Sequence, residues 1–240
     1  MKRNLKYLLL GIIVLGVWQY CSSNNTSVRL YISSPVLIVE YFSANYIDLL
    51  KALAITSLEA IVGLIIATAF ACLVMCLGFW KPKFLEFILP IMITSQVIPI
   101  IVLAPFFIIL FGIGLTSKII MAAVISFFAI FISFTQGYKA ISRNIHELMT
   151  VYNAPLSFRI KEVYFPLAMP SIMSGLKVSA TLAVIGAIVA EFTGARYGIG
   201  KNLFVSAIRL EPDMMMTSLI LAALLGLALY GIINYIDKKY

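Results

Sequence analysis

Uncharged apolar runs fall at Tyr7 to Tyr20, Ala60 to Trp80, Phe87 to Phe111, Ile119 to Thr135, Val178 to Ala190 and Met214 to Ile236, each bounded by charged or loop-forming residues. About twenty apolar residues cross a bilayer once, so runs of this kind read as membrane-spanning helices. The pattern predicts an all-α, polytopic membrane protein of about six transmembrane helices, with residues 1–240 as a single transmembrane domain. The fifth run is short, and its helix is expected to borrow flanking residues, Glu191 among them.

Two stretches between runs are long enough to matter: Cys21 to Asp48, and Gly137 to Ser174 (137–174). The second carries Lys139, Arg143, Glu147, Arg159, Lys161 and Glu162, but also Ile141, Ile145, Leu148, Val151, Phe158, Val163 and Phe165 at broadly helical intervals. It predicts short amphipathic helices, broken at Asn153-Ala154-Pro155 and again at Pro166 and Pro170. Its apolar residues either rest on the membrane surface or the protein's own underside, or form a docking surface for a cytoplasmic partner.

Composition agrees with the pattern. The chain is 62% hydrophobic and 12% charged, with a mean hydropathy of +1.04, far from the roughly 25% charged usage of soluble domains. No large soluble catalytic domain fits. Eighteen Lys and Arg against ten Asp and Glu give +8, but the basic residues are scattered between apolar runs, which argues against nucleic acid as a partner. Their distribution sets topology instead. With six spans and both termini inside, Lys2, Arg3, Lys6, Lys81, Lys83, Lys139, Arg143, Arg159, Lys161, Lys177, Lys238 and Lys239 lie in the cytoplasm. Arg29, Lys51, Lys118, Arg196, Lys201 and Arg209 lie outside. This two-to-one excess supports cytoplasmic termini by the positive-inside rule. The first run resembles a signal peptide, but Trp18, Gln19 and Tyr20 are too large for a cleavage site, so a retained span is expected.

The third run contains Pro90, Pro99 and Pro105, which remove helical hydrogen bonds inside the bilayer. Thr94, Ser95 and Gln96 beside Pro99 either line a pathway or satisfy the freed backbone. Two carboxylates adjoin the spans: Glu59 at the start of the second, and Glu191 at the end of the fifth. Each is either a hydrated group at a helix end, or part of a pathway mouth facing Lys51, Arg196 or substrate.

Other chemistry is missing. No phosphate-cradling loop of the form G-x-x-x-x-G-K-[ST] occurs; the nearest segment, Gly200-Lys201-Asn202, has Ala195 for the first glycine and no hydroxyl for magnesium. The chain is therefore not expected to be an enzyme. His146 stands alone, without a zinc or nucleophile partner, and reads as a solvated loop residue. Cys21, Cys72 and Cys76 read as small packing residues.

Together these features resemble the permease subunit of a bacterial ATP-binding-cassette importer of type I, in the group of nitrate, sulfonate, taurine and thiamine-precursor permeases. Members carry a cytoplasmic loop E-A-A-x3-G-x9-I-x-L-P. Here Glu147-Leu148-Met149-Thr150-Val151-Tyr152-Asn153 stands in its place, followed by Ala154, and Pro166 comes thirteen residues after Asn153. Asn for Gly is mild, because Asn tolerates the left-handed turn; Leu148 and Met149 in place of the alanines need a roomier cleft. Further likenesses are Thr56-Ser57-Leu58 with Gly63, Ala104-Pro105, Phe111-Gly-Ile-Gly114, Ser117-Lys118-Ile119, Ala190-Glu191-Phe192 and Gly198-Ile-Gly200. Glu59 departs from the family, which more often has a basic or neutral residue there.

The resemblance implies a bacterial inner-membrane subunit working as a dimer with a second copy of itself, embedded in membrane lipid. It implies a cytoplasmic ATP-binding subunit gripping Glu147 to Ala154 and Pro166, and an extracytoplasmic substrate-binding protein. ATP and magnesium would sit on the ATPase partner, with no cofactor in this chain. The alternative class is an ion-gradient-coupled secondary transporter, disfavoured by the lack of a repeat between halves and of a carboxylate deep at mid-span. The cargo reads as a small organic solute, such as a vitamin precursor or sulfonate.

Overall fold

The computed structural model describes residues 2–239, without the side chains of 2–5, 7–9, 26–27, 82 and 100. Met1 and Tyr240 of the expected domain, and the side chains of Lys2 and Arg3 in the charge count, lie outside the described residues. Helix α1 (Lys2–Asn24) contains the first apolar run, and a short α2 (Thr26–Arg29) follows. Helix α3 (Pro35–Trp80) starts where Ser34 accepts the Leu37 N–H at 3.3 Å and Pro35 takes the first turn.

The helix of the span expected from Ala60 thus begins far earlier, and most of the stretch 21–48, expected only as a non-spanning segment, is helical. A 46-residue helix would run about 69 Å if straight. It bends at Asn45 (φ −121°, ψ 18°), whose side-chain amide donates back to the Tyr41 carbonyl at 3.1 Å. A short polar side chain competing for the helix's own backbone accounts for the bend.

The third run does not form one helix. Lys81 ends α3, then α4 (Pro82–Ser95) and α5 (Ile100–Phe111) meet at a turn over 96–99. Proline disfavours helical backbone in the residue before it, so Pro99 stops α4 while serving as the cap of α5. Glycine at Gly112, with φ 79°, reverses the chain into α6 (Leu115–Lys139).

Helix α7 (Arg143–Val151), α8 (Leu156–Phe158) and a π-helical segment (Arg159–Tyr164) precede α9 (Phe165–Glu191). The expected break at Pro166 and Pro170 does not occur: the chain stays helical from Leu156 to Glu191. The wider π turn moves the upstream carbonyls away from the proline ring, and Pro166 then needs no N–H in the first turn of α9. Helices α10 (Ile199–Arg209) and α11 (Pro212–Asp237) close the fold.

Four of the described helices are long and apolar enough to cross a membrane: α3, α6, the continuous 156–191 helix, and α11. Their packing depends on small residues. Without a water-driven hydrophobic force between helices in lipid, backbones must approach closely to gain dispersion and polar contacts. A Cβ on Gly175 would fall 2.4 Å from that of Ser133, one on Gly186 2.8 Å from the Ala122 Cα, and one on Gly63 2.6 Å from the Ala122 Cβ. Ser126 and Ser179 donate to each other's carbonyls at 3.3 and 3.1 Å, pinning α6 to α9. Of the cysteines only Cys72 packs inward, half-buried; Cys21 and Cys76 are exposed. Helix α1 is tied to the bundle at one end, where the Trp18 indole donates to the Ser33 carbonyl at 3.1 Å, while Leu10 to Val17 face outward.

Candidate coupling and pathway sites

Helix α7 ends in a Schellman motif. The Ala154 N–H donates to the Met149 carbonyl at 3.1 Å, the Asn153 N–H to Thr150 at 3.0 Å, and Asn153 has φ 49°. The Arg159 guanidinium then donates to the Ala154 carbonyl at 2.7 Å, fixing the next helix against the turn. No described residue of α7 is buried. Glu147 pairs with Arg143 one turn back at 2.7 Å, both largely solvent-facing. Leu148 is exposed, and Val151 and Tyr152 are 78% and 75% exposed. The inner face is held by His146, whose Nδ1 lies 3.1 Å from the Tyr164 hydroxyl and whose ring sits 5.4 Å from Tyr138 and 5.0 Å from Tyr164. His146 is thus a packed joint between α7, α6 and the π-helical segment, not a solvated residue. Pro166 is exposed in the first turn of α9, a helix apart from α7.

The pathway candidates fall into separate places. Ser95 and Gln96 line a cavity of about 380 Å³ with Ile125, Phe128, Ser133 and Leu182, between the α4–α5 break and α6 and α9. Thr94 and Pro99 are exposed beside it. Glu59 and Glu191 belong to another region.

Both of these carboxylates are fully buried, so neither is a hydrated helix-end group. Glu191 accepts the Thr56 hydroxyl at 2.7 Å on Oε1 and the Gly200 N–H at 2.5 Å on Oε2, and the Thr56 oxygen accepts the Ile199 N–H at 2.9 Å. This clamp holds the start of α10 against α3 and α9. It needs glycine at both ends: a Cβ on Gly198 (φ 132°) would strike the Glu191 carboxylate, and one on Gly200 would come 2.4 Å from the Ile188 carbonyl.

Glu59 lies beside Glu191 and within electrostatic reach of Lys118. It opens on a cavity of about 270 Å³ shared with Lys118 and Arg196. Lys51 is elsewhere, 3.7 Å from Asp48 on the surface. Thr56, Lys118, Gly198 and Gly200 are given no site role by the sequence beyond family likeness. Their roles emerge when three distant segments meet.

The fold is thus a bundle of apolar helices with a break between α4 and α5, two buried carboxylates and an exposed amphipathic helix, α7. The family of binding-protein-dependent transport system inner membrane components matches residues 63–240, and the chain belongs to it. A probable ABC transporter permease protein of Haemophilus influenzae is 28% identical over 239 residues, covering 99% of this chain and 97% of that protein. The formylaminopyrimidine transport permease protein ThiX of Halalkalibacterium halodurans is 28% identical, covering 99% and 96%. A putative aliphatic sulfonates transport permease protein, SsuC of Bacillus subtilis, is 23% identical, covering 98% and 86%. The chain is a multi-pass inner-membrane protein of the ABC permease class, a membrane subunit rather than an enzyme.

Proposed function

We propose that this chain moves a small organic solute inward, driven by ATP hydrolysis on a separate cytoplasmic subunit that holds the ATP and magnesium. The observation that carries the reading is α7: a short helix with Leu148, Val151 and Tyr152 exposed, stopped by left-handed Asn153 and riveted through His146 to α6 and the helix leading into α9. A rigid helix of this kind receives a push from a docked partner and passes it to the spans. The charge distribution supports placing α7 and both termini in the cytoplasm.

A substrate-binding protein delivers the solute from the other side, and a second copy of the chain completes the pathway. Exposed apolar residues such as Leu10 to Val17 on α1 and Ile109 on α5 suit lipid and that second copy. The substrates named for the relatives, a formylaminopyrimidine and aliphatic sulfonates, support a vitamin precursor or sulfonate as the class of cargo.

The test is a gentle-detergent pull-down of the tagged chain from its native membranes, with mass spectrometry of its companions. An ATPase bearing a phosphate-binding loop is the expected companion. Recovery of the chain alone after cross-linking, with uptake that follows a proton or sodium gradient, would replace this reading with the ion-coupled carrier.

A further inference from the structure

We propose that the cavity between the α4–α5 break, α6 and α9 is a solute-binding site, and that it takes an uncharged, flat heterocycle with an amide-like edge rather than an oxyanion. The proposal deepens the importer reading, resting on it only in treating the bound molecule as cargo, and it separates the two cargo classes named there. The site lies at mid-membrane depth. Helix α4 has 14 residues and α5 has 12, about 21 and 18 Å of rise, so the turn at 96–99 falls near the middle of a hydrocarbon core of about 30 Å. On α6 the lining residues run from Val124 to Ser133, the middle of a 25-residue helix.

Irregular backbone at that depth is stable only when buried in protein or facing a cavity. The Val97 and Ile98 N–H groups reach back to Thr94 and Ser95 at 3.1 and 3.3 Å, and Pro99 has no N–H to give. Gln96 and Ile98 line the cavity and are also exposed, so its mouth opens at the break. Its volume of about 380 Å³ suits a small molecule.

Among the described residues, no charged side chain lines this space. Lys177, next to the lining residue Val178, is engaged by Asp237 of α11 at 2.6 Å. A sulfonate or carboxylate would therefore give up its hydration here without meeting a counter-ion. Hydrogen-bonding groups are nonetheless present. Gln96 offers two N–H donors and a carbonyl, Ser133 offers a hydroxyl, and neither side chain has a partner among the described residues. Ser95 donates to the Met92 carbonyl at 2.8 Å and keeps its oxygen as an acceptor. Ile125, Phe128 and Leu182 supply apolar walls. Apolar walls with uncharged donors and acceptors match a ring whose faces are apolar and whose edge both donates and accepts.

Three probes on one ring test the class: nicotinamide, nicotinate and pyridine-3-sulfonate, titrated calorimetrically at neutral pH into the full-length chain in phosphatidylcholine nanodiscs, with empty nanodiscs subtracted. Nicotinamide should bind saturably below about 10 mM, a weak affinity within reach of so small a ligand, and the two anions should not. Gln96→Leu should weaken nicotinamide about three- to tenfold, the loss of one or two neutral hydrogen bonds. Gln96→Lys places a cation at the mouth and should admit pyridine-3-sulfonate. Ala129→Phe fills the cavity from its α6 wall and should abolish nicotinamide binding; if that variant does not insert, the two Gln96 variants, at an exposed position, decide the matter.

An anion binding to the parent chain as well as nicotinamide does overturns the proposal, as does nicotinamide binding that Gln96→Leu or Ala129→Phe leaves unchanged. Failure of Gln96→Lys to admit the sulfonate also overturns it, because the missing cation would not be what excludes anions. Absence of saturable nicotinamide binding assigns the cavity to lipid chains and overturns it as well. No ATPase or binding protein is present in this assay, so none of these outcomes bears on the importer reading, which the pull-down decides separately.

Discussion

The carboxylate clamp between α3, α9 and α10 is open to a direct energetic test through Thr56→Val. The substitution keeps the side chain's shape and deletes the hydroxyl, stranding Glu191 Oε1 and the Ile199 N–H at once. Thr56 and Ile199 are fully buried, so water cannot replace the lost partner. In a water-soluble protein each stranded group costs about 1–3 kcal/mol. Inside a bilayer the unfolded reference also finds partners, and single hydrogen bonds there average about 0.6 kcal/mol and reach about 1.7.

Two lost bonds therefore give a destabilisation of about 1–3 kcal/mol. Equilibrium unfolding of the full-length chain in mixed micelles measures it, with Thr56→Ser as the control that keeps the hydroxyl and should recover most of the loss. If Thr56→Val unfolds within about 0.5 kcal/mol of the parent, the hydroxyl does not hold Glu191, and the account of the clamp is wrong.

Other consequences follow from single contacts. Gly186→Val places two methyl groups where even a Cβ would lie 2.8 Å from the Ala122 Cα, so it should lower stability by about 1–3 kcal/mol, read by the same unfolding titration. Asn153→Gly relaxes the left-handed residue that ends α7 and should raise the chain's thermal midpoint slightly, with uptake retained. Asn153→Pro cannot adopt that φ, and together with Glu147→Lys it should abolish cellular uptake while membrane insertion, followed by protease protection, stays normal; normal uptake by either would remove α7 from the coupling path. Lys177 and Asp237 form an ion pair at 2.6 Å, partly shielded, joining α9 to the end of α11. A double-mutant cycle with Lys177→Met and Asp237→Asn should give a coupling of about 1 kcal/mol, and a coupling near zero would mean the pair is ornamental.

Much of this architecture is written locally. Long uncharged runs have one stable state in lipid, the helix, because every backbone N–H and C=O must be satisfied within the segment. The runs alone therefore announced an all-α bundle. Asn153, followed by Pro155, likewise marked the end of α7, since left-handed backbone is a property of the residue and its immediate neighbours. Helical spacing of Leu148 and Val151 predicted an amphipathic helix, but that both stay exposed is seen only in the fold.

What required the tertiary structure was every feature in which distant segments compete for one place. Pro166 looks like a helix breaker, yet a π turn upstream absorbs its ring, so the loop feeds straight into α9. The start of α3 lay hidden because Glu40, Asp48 and Lys51 interrupt the apolar residues before the span, so no long uncharged run marks it. Glu59 and Glu191 look alike in the sequence, each a lone acid beside a span. Folding gives Glu191 the Thr56 hydroxyl and the Gly200 N–H, and sets the Glu59 carboxyl against Glu191 with no other hydrogen-bonding group among the described residues. Hydrogen-bond satisfaction depends on which groups share a volume, and residues 56, 59, 118, 191 and 200 share one only after α3, α6, α9 and α10 have packed.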